Sequence, residues 1–259
     1  MTSPLLETLI EAALAAGDEI ETIYAAGFTS EAKLDGSPVT EADRRAEAII
    51  LERLASAFPG IAVLAEEEAA AGRIPALGDR FFLVDPLDGT KGFIQRNGEF
   101  TVNIALIEDR KPIAGVVYAP DGAALYYGAK GEGAFRRLGR GNPSAERIRP
   151  RPRPVSGLAG IGSRNHAAPG TAERMAALGV TDFVPAGSSL KFCLVAEGSA
   201  DVYPRWGRTM EWDTGAGQAV LEAAGGRVLA LDGDREIGPL LYDKAESEFA
   251  NPHFIAWGQ

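Results

Sequence analysis

Two acids three residues apart, Asp85 and Asp88, close the apolar run Phe81-Phe82-Leu83-Val84, and Gly89 and Thr90 follow at once. Carboxylates are hard oxygen ligands that suit Mg²⁺. The amides after Gly89 open a predicted helix, and the unpaired N–H groups of a helix start face anions well. The chemistry this spacing favours is a divalent cation beside a phosphate. Further acids could join: Glu66-Glu67-Glu68 at the end of another short apolar run, and Glu211-Trp212-Asp213 at the head of a Gly- and Ala-rich stretch. Taken singly, each has a plainer reading, as a solvated charge run or a turn cap. Together they would supply several carboxylates to one centre if the two halves of the chain face each other. Phosphoryl transfer uses such a centre, because two or more ions neutralise the phosphate and hold the attacking and leaving oxygens.

A second set of residues could bind an anion. Ser188 and Lys191 lie three apart at a predicted helix start, so the hydroxyl, the exposed amides and the ammonium can converge, and Arg205 can join as a forked donor. A bisphosphate needs a second anion site of this kind, whereas a simple inositol phosphate does not. As isolated bases, Lys191 and Arg205 read equally well as solvated surface. The chain has 259 residues with 36 acids against 26 bases, a net charge of −10, which argues against a general binder of nucleic acid or membrane surfaces. An anionic ligand therefore needs local cations. Cys193 is the only cysteine, which leaves no disulfide partner; it sits on an apolar helix face and reads as core. Phe100 and Trp212 also read as packing.

The elements that must position these groups follow from pattern. Ser3-Pro4 caps a first helix that runs to about Ala26, with Leu6, Leu9, Ile10, Ala13, Ile20 and Tyr24 at helical spacing. A polar loop, Asp35-Gly36-Ser37-Pro38, precedes a second helix capped by Thr40 with Asp43 in the third position, ending before Phe58-Pro59-Gly60. Short strands at Ile61 to Leu64 and Phe81 to Val84 deliver acids at their carboxyl ends. An antiparallel meander is expected over Thr101–Ile107, Ile113–Tyr118, Leu125–Tyr127 and Ala134–Arg137. Arg149-Pro150-Arg151-Pro152-Arg153-Pro154 is a stiff connector, and a boundary is expected there between residues 1–148 and 149–259. The second half alternates strands with helices, including Ser189–Ala196 and Thr214–Ala224, which suggests an α/β layer. With 46% apolar residues and neither a signal-peptide pattern nor an apolar span of membrane length, the expected compartment is the cytoplasm. Peripheral attachment to the inner face of the membrane would leave no trace at this level.

Four ordered motifs, Val39-Thr40-Glu41-Ala42-Asp43, Glu66-Glu67, Asp85-Pro86-Leu87-Asp88-Gly89-Thr90 and Trp212-Asp213-Thr214-Gly215-Ala216, resemble the inositol monophosphatase superfamily of Mg²⁺-dependent, lithium-sensitive phosphatases. Asn97 to Leu106, Gly187 to Cys193 and Asp201 to Arg205 resemble its CysQ branch, the 3′(2′),5′-bisphosphate nucleotidases of sulfate assimilation. The resemblance implies an α+β and α/β fold layered as an αβαβα sandwich, shared with fructose-1,6-bisphosphatase. Most metal ligands would lie in the N-terminal half, while Asp213 and the nucleotide-binding residues would lie in the C-terminal half. It implies two or three Mg²⁺ ions: one on Glu66, Asp85 and the Leu87 carbonyl, a second on Asp85, Asp88 and Asp213, and a weaker third reached by Glu66 or Glu67 through water. Thr90 paired with Asp43, together with Glu66, would activate water for in-line attack on phosphorus. The Gly89 and Thr90 amides would cradle the scissile phosphate, Asp213 would also contact the substrate, Ser188, Lys191 and Arg205 would hold the other phosphate, and His166 would lie near the sugar and base. The implied substrate is adenosine 3′,5′-bisphosphate, cleaved to AMP by a monomer or homodimer; the alternative is an inositol- or histidinol-phosphate phosphatase with the same metal chemistry. One departure stands out, since Gly92 occupies a position where this branch commonly carries an acid.

Overall fold

The structure is a computed structural model and describes residues 2–33, 36, 38–141, 144–162 and 170–259. Helix α1 (Pro4–Ala26) starts with Ser3 accepting the Leu6 N–H and Pro4 in the first turn, where its missing N–H costs nothing. A hairpin of β1 (Ser30–Ala32) and β2 (Pro38–Thr40) leads into α2 (Glu41–Ala57), capped reciprocally by Thr40 and Asp43. Strand β3 (Ala62–Ala65) runs straight into the short helix α3 (Glu66–Ala70), and β4 (Arg80–Asp88) into α4 (Thr90–Ile94). The meander follows as β5 (Thr101–Glu108), β6 (Lys111–Ala119), β7 (Ala124–Ala129), β8 (Gly133–Leu138) and β9 (Glu146–Ile148). Strands β3 to β9 form one seven-stranded sheet in chain order, with β3 parallel to β4 and antiparallel pairs beyond.

After the Arg-Pro stretch come β10 (Leu158–Gly162), α5 (Thr171–Ala177), β11 (Val180–Pro185), α6 (Leu190–Ala196), β12 (Val202–Arg205) and α7 (Glu211–Ala224). The chain closes with β13 (Arg227–Asp232), β14 (Arg235–Pro239), a 3₁₀ turn at Ala245–Ser247 and β15 (His253–Trp257). The second sheet has the order β11-β10-β12-β15-β13-β14, parallel at β11, β10 and β12 and antiparallel where β15 enters between β12 and β13.

Helices α1 and α2 cover one face of the first sheet, burying Leu9, Ile20 and Ile50 against Phe82, Ile104 and Val116. Helices α6 and α7 lie between the sheets, with Phe192 and Val220 packed among Leu83, Ala105 and Val117 on one side and Tyr203 and Phe254 on the other. Helix α5 covers the outer face of the second sheet through Met175, against Leu158, Val202 and Ile255. This is the five-layer αβαβα sandwich. It explains why β4 reads as an unbroken apolar run: Phe82 and Val84 face α1 and α2, Phe81 and Leu83 face α7, and both faces are covered. The central helix sits very close to the first sheet. A Cβ on Gly115 of β6 would stand 2.7 Å from the Ala216 carbonyl and 2.8 Å from the Ala219 Cβ. One on Gly217, across α7, would stand 2.4 Å from the Phe192 ring. Among the described residues, no helix is long and apolar enough to cross a membrane.

The structure corrects several boundaries. The β1–β2 hairpin was not expected: Pro38, read as the end of a polar loop, opens β2, and β1 is hard to see because every one of its residues is exposed. Glu66-Glu67-Glu68, read as a strand end, opens helix α3, whose N-cap is an alanine that offers no side-chain signal. Strands β9, β14 and β15 were not expected, β4 continues to Asp88, and α7 begins at Glu211, three residues before the expected start.

Candidate active site

The geometry begins with a bulge. Asp85 pairs with Asn103 and Asp88 with Thr101, so three steps along β4 match two along β5, and one extra residue is inserted in β4. In a regular strand, residues three apart point to opposite faces. The bulge restores Asp85 and Asp88 to the same face, the one covered by α7. Pro86 lies inside it, where its missing N–H disturbs no ladder bond, and the Leu87 N–H donates to Asp85 Oδ1 at 3.0 Å.

Three other elements bring acids to this face. β3 runs parallel beside β4 and hands over to α3, which places the Glu66 and Asp85 carboxyls within hydrogen-bonding reach of each other. Helix α7 starts over the same face, and the Met210 N–H donates to Asp213 Oδ2 at 2.8 Å, so one oxygen of Asp213 caps its own helix and, among the described residues, the other accepts no hydrogen bond. The Ser189 hydroxyl ties the two halves together, 2.7 Å from the Asp213 carbonyl and 3.2 Å from Asp88 Oδ2. From α2, Asp43 Oδ1 accepts the Thr90 hydroxyl at 3.0 Å, while Oδ2 accepts the Thr40 amide and hydroxyl, both at 2.7 Å. Thr90 also lies 3.2 Å from the Leu87 carbonyl. Gly89 takes a positive φ of 95°, and a Cβ there would meet the Glu99 carbonyl at 2.6 Å, so only glycine makes this turn into α4.

Burial, and then mutual repulsion, sets the electrostatics. The carboxyls of Asp85 and Asp213 are pushed well above the usual range, first by burial and then by Glu66, Asp88 and each other's neighbourhood. Burial likewise raises Glu66, Asp88 and Asp43, and raises Glu67 to about 7. Lys33, on the loop after β1, holds Glu66 Oε1 at 2.7 Å and Glu67 Oε1 at 2.5 Å; burial opposes its charge, but the two carboxylates outweigh that and raise it. Among the described residues, no three of these acids close round one point as the side chains stand. The donor set nevertheless fits a hard divalent cation: all oxygen, buried, and destabilised by its own like charges until a cation arrives.

Beside the acids opens a cleft of about 560 Å³, whose walls include Glu66, Asp88, Thr90, Lys191, Arg205 and Asp213. Lys191 is only 6% exposed, donates to the Ser188 carbonyl and lies 5.4 Å from the Tyr203 ring centroid. Burial lowers its ammonium to about 8, partly offset by Asp88. Ser188 itself adopts a left-handed φ of 44°. Among the described residues, Ser188 Oγ and Arg205 Nε are buried with no hydrogen-bond partner. Gly92 also lines the cleft, and a Cβ there would lie 2.7 Å from Asn97 Oδ1 and 2.9 Å from the Glu99 carbonyl. Any side chain at this position would therefore crowd the loop at 97–99.

Of the residues expected from the sequence, the fold gathers Asp43, Glu66, Glu67, Asp85, Leu87, Asp88, Gly89, Thr90, Ser188, Lys191, Arg205 and Asp213 into this region, and His166 lies outside the described residues. Lys191 is buried, which removes the alternative that it is solvated surface. Lys33 was missed. Its signal was no more than one base shortly before the Val39-Thr40-Glu41-Ala42-Asp43 motif, and its role depends on the unexpected hairpin.

Comparison with known proteins agrees with this layout. The profile of the inositol monophosphatase family matches residues 1–256. A 3′(2′),5′-bisphosphate nucleotidase CysQ of Salmonella typhimurium is 45% identical over 253 residues, 96% of this chain and 98% of that protein. The protein of the same name from Escherichia coli K12 is 44% identical over the same shares. Among solved structures, CysQ from Bacteroides thetaiotaomicron superposes with a TM-score of 0.79 at 40% identity, covering 98% of this chain and 96% of that one. An IMPase of Thermotoga maritima has the same TM-score at 25% identity, over 99% of this chain and 92% of that one. With a profile match along nearly its whole length, and a CysQ of the same layered shape, the chain belongs to the inositol monophosphatase family.

Proposed function

We propose that the protein is a metal-dependent phosphatase acting as a 3′(2′),5′-bisphosphate nucleotidase, which releases the 3′-phosphate of adenosine 3′,5′-bisphosphate and leaves AMP. The observation that carries the substrate choice is the pair of buried, unpartnered donors, Ser188 Oγ and Arg205 Nε, beside the buried Lys191 ammonium. A buried donor without an acceptor costs about 1–3 kcal/mol, and an anion that accepts from both removes that cost. An inositol monophosphate has one phosphate, needed at the acids, and leaves these donors unserved. The names of the CysQ relatives agree with a bisphosphate.

In this reading Glu66, Glu67, Asp85, the Leu87 carbonyl, Asp88 and Asp213 hold two or three Mg²⁺ ions. When bound, such ions acidify water and neutralise phosphoryl oxygens. Lys33 would give up its Glu66 and Glu67 oxygens as the site loads. The Gly89 and Thr90 amides face the scissile phosphate. Thr90 donates a hydrogen bond to Asp43, which leaves the threonine oxygen's lone pairs free to accept one from the attacking water and aim it; as the water attacks, its proton passes to the Thr90 oxygen while the Thr90 hydroxyl proton moves to Asp43. Asp43, raised by burial and fixed by Thr40, is poised to draw that proton away. Residues 1–148 then carry out the hydrolysis, while residues 149–259 complete the acid cluster through Asp213 and select the substrate.

The test is a comparison of phosphate release from adenosine 3′,5′-bisphosphate and from inositol 1-phosphate in Mg²⁺. The nucleotide is expected to give the larger kcat/KM by at least tenfold. A clear preference for the inositol ester overturns the substrate assignment.

A further inference from the structure

Helix α2 presents two buried acids one turn apart on the same face, Asp43 and Glu47, and the reaction uses only the first. Glu47 is 3% exposed and makes no ion pair among the described residues. Its carboxyl faces the head of α3: Oε2 accepts the Glu67 N–H at 2.8 Å and Oε1 the Glu68 N–H at 3.0 Å. These are the second and third residues of a helix whose own N-cap, Ala65, contributes no side-chain bond. A capping residue normally sits next to its helix in sequence. Here the cap comes from nineteen residues upstream, on another helix, and the short helix it holds carries Glu66 and Glu67.

We propose that Glu47 is a positioning residue for the metal site, one that fixes the direction in which α3 presents Glu66 and Glu67. Helix α3 has five residues, none of them fully buried, and only Ala69 packs against the core, so packing fixes its orientation weakly. Ligand geometry at a metal is commonly held by hydrogen bonds one step removed from the ion, and their loss costs about 10- to 100-fold in affinity. Through Asp43 and Glu47, a single helix holds both Thr90 and α3, so the water-orienting pair and the glutamate ligands move as one unit. Glu47 does not line the cleft beside the acids, and its role here is to orient rather than to transfer protons.

The proposal rests on the assignment of Glu66 and Glu67 as ligands, and the experiment separates the two. Mn²⁺ binding to the substrate-free protein is measured by titration calorimetry for the natural chain, Glu47→Gln, Glu47→Ala and Glu66→Gln. Glutamine keeps the size of Glu47 but turns an NH₂ group toward one of the two amides, so one bond is lost while the helix packing is kept. Glu47→Gln is expected to weaken Mn²⁺ binding about tenfold. Its kcat should recover at saturating Mg²⁺, and its folded near-UV spectrum should be unchanged. Glu47→Ala, if folded, should weaken binding further. A purely structural role would lower thermal stability and leave the dissociation constant of the folded protein alone. Mn²⁺ binding as tight in Glu47→Gln as in the natural chain, with binding lost in Glu66→Gln, overturns the role of Glu47 and leaves the ligand assignment standing. Unchanged binding in Glu66→Gln overturns the ligand assignment and this proposal with it.

Discussion

Replacing Lys191 with methionine keeps an unbranched apolar stem of nearly the same reach and removes the terminal ammonium with its charge and donors. In the natural protein that charge is held at 6% exposure between the Ser188 carbonyl and the Tyr203 ring, so little solvent screens it. A hydrogen bond to a charged group is worth about 1.5–3 kcal/mol when its partner is present. At about 1.4 kcal/mol per decade, the loss corresponds to a rise in KM of roughly 10- to 150-fold for adenosine 3′,5′-bisphosphate. Adenosine 3′-phosphate has the same base, sugar and scissile phosphate but nothing for Lys191 to hold, and its KM should change only a few-fold. The pH profile gives a second reading. The ammonium of the free enzyme is lowered to about 8 by burial, and only the protonated form attracts phosphate. For the bisphosphate, kcat/KM of the natural enzyme should therefore fall as pH rises through about 8, and the Lys191→Met profile should lack that limb. Steady-state phosphate release on both substrates between pH 6.5 and 9.5, roughly spanning that shift, is sufficient. Equal rises in KM for the two substrates, or a descending limb unchanged in the variant, would refute the placing of the second phosphate at Lys191.

Asp88→Asn should reduce Mg²⁺-dependent turnover by several decades, yet raise the melting temperature of the metal-free protein, because it removes one of the buried like charges that raise Asp85 and Asp213; normal turnover in this variant would exclude Asp88 as a ligand. The metal-free protein should lose stability between about pH 5 and 8. Glu47 and Glu67 are raised by burial to about 8 and about 7, so the folded state binds more protons than the unfolded state in that window, and the stability gained at low pH is lost as pH climbs through the folded values. Scanning calorimetry in EDTA should show the melting temperature dropping by several degrees over this range, with saturating Mg²⁺ flattening the trend; a rise with pH in EDTA would contradict the burial of these protons.

The sequence displayed its chemistry more readily than its geometry. Asp85 and Asp88 were legible as ligand candidates because they close an apolar run together, whereas Asp213, at the head of a Gly- and Ala-rich stretch, joined them only through the combination of acids and the family resemblance. That Asp85 and Asp88 share a face was not legible. Their spacing of three contradicts a regular strand, and only the register shift against β5 resolves it. Long periodic elements such as α1 and α2 could be read from their caps and stripes, while β1 and α3 could not, since neither has a buried residue to set a period. The anion donors illustrate the limit on side chains. Lys191 could be placed at a helix start by spacing, but its burial depends on β12 and the start of α7, which close over it only when the layers pack. Lys33 and Glu47 were invisible as functional residues because each acts through a partner brought near by tertiary contact.

The tight seating of α7 has a consequence for genetics. Gly115 lies about a hundred residues before Asp213 and touches no acid of the site, yet its missing Cβ is what allows the Ala216 carbonyl to lie against β6. On the other side, Gly217 gives the same clearance to Phe192, on the helix that bears Lys191. A methyl group at either position must push α7 away from one neighbour, and Asp213 is in the first turn of that helix. Alleles that abolish activity should therefore accumulate at these two glycines as well as at the acids. A screen that scored only residues near substrate would misfile them as ordinary folding defects.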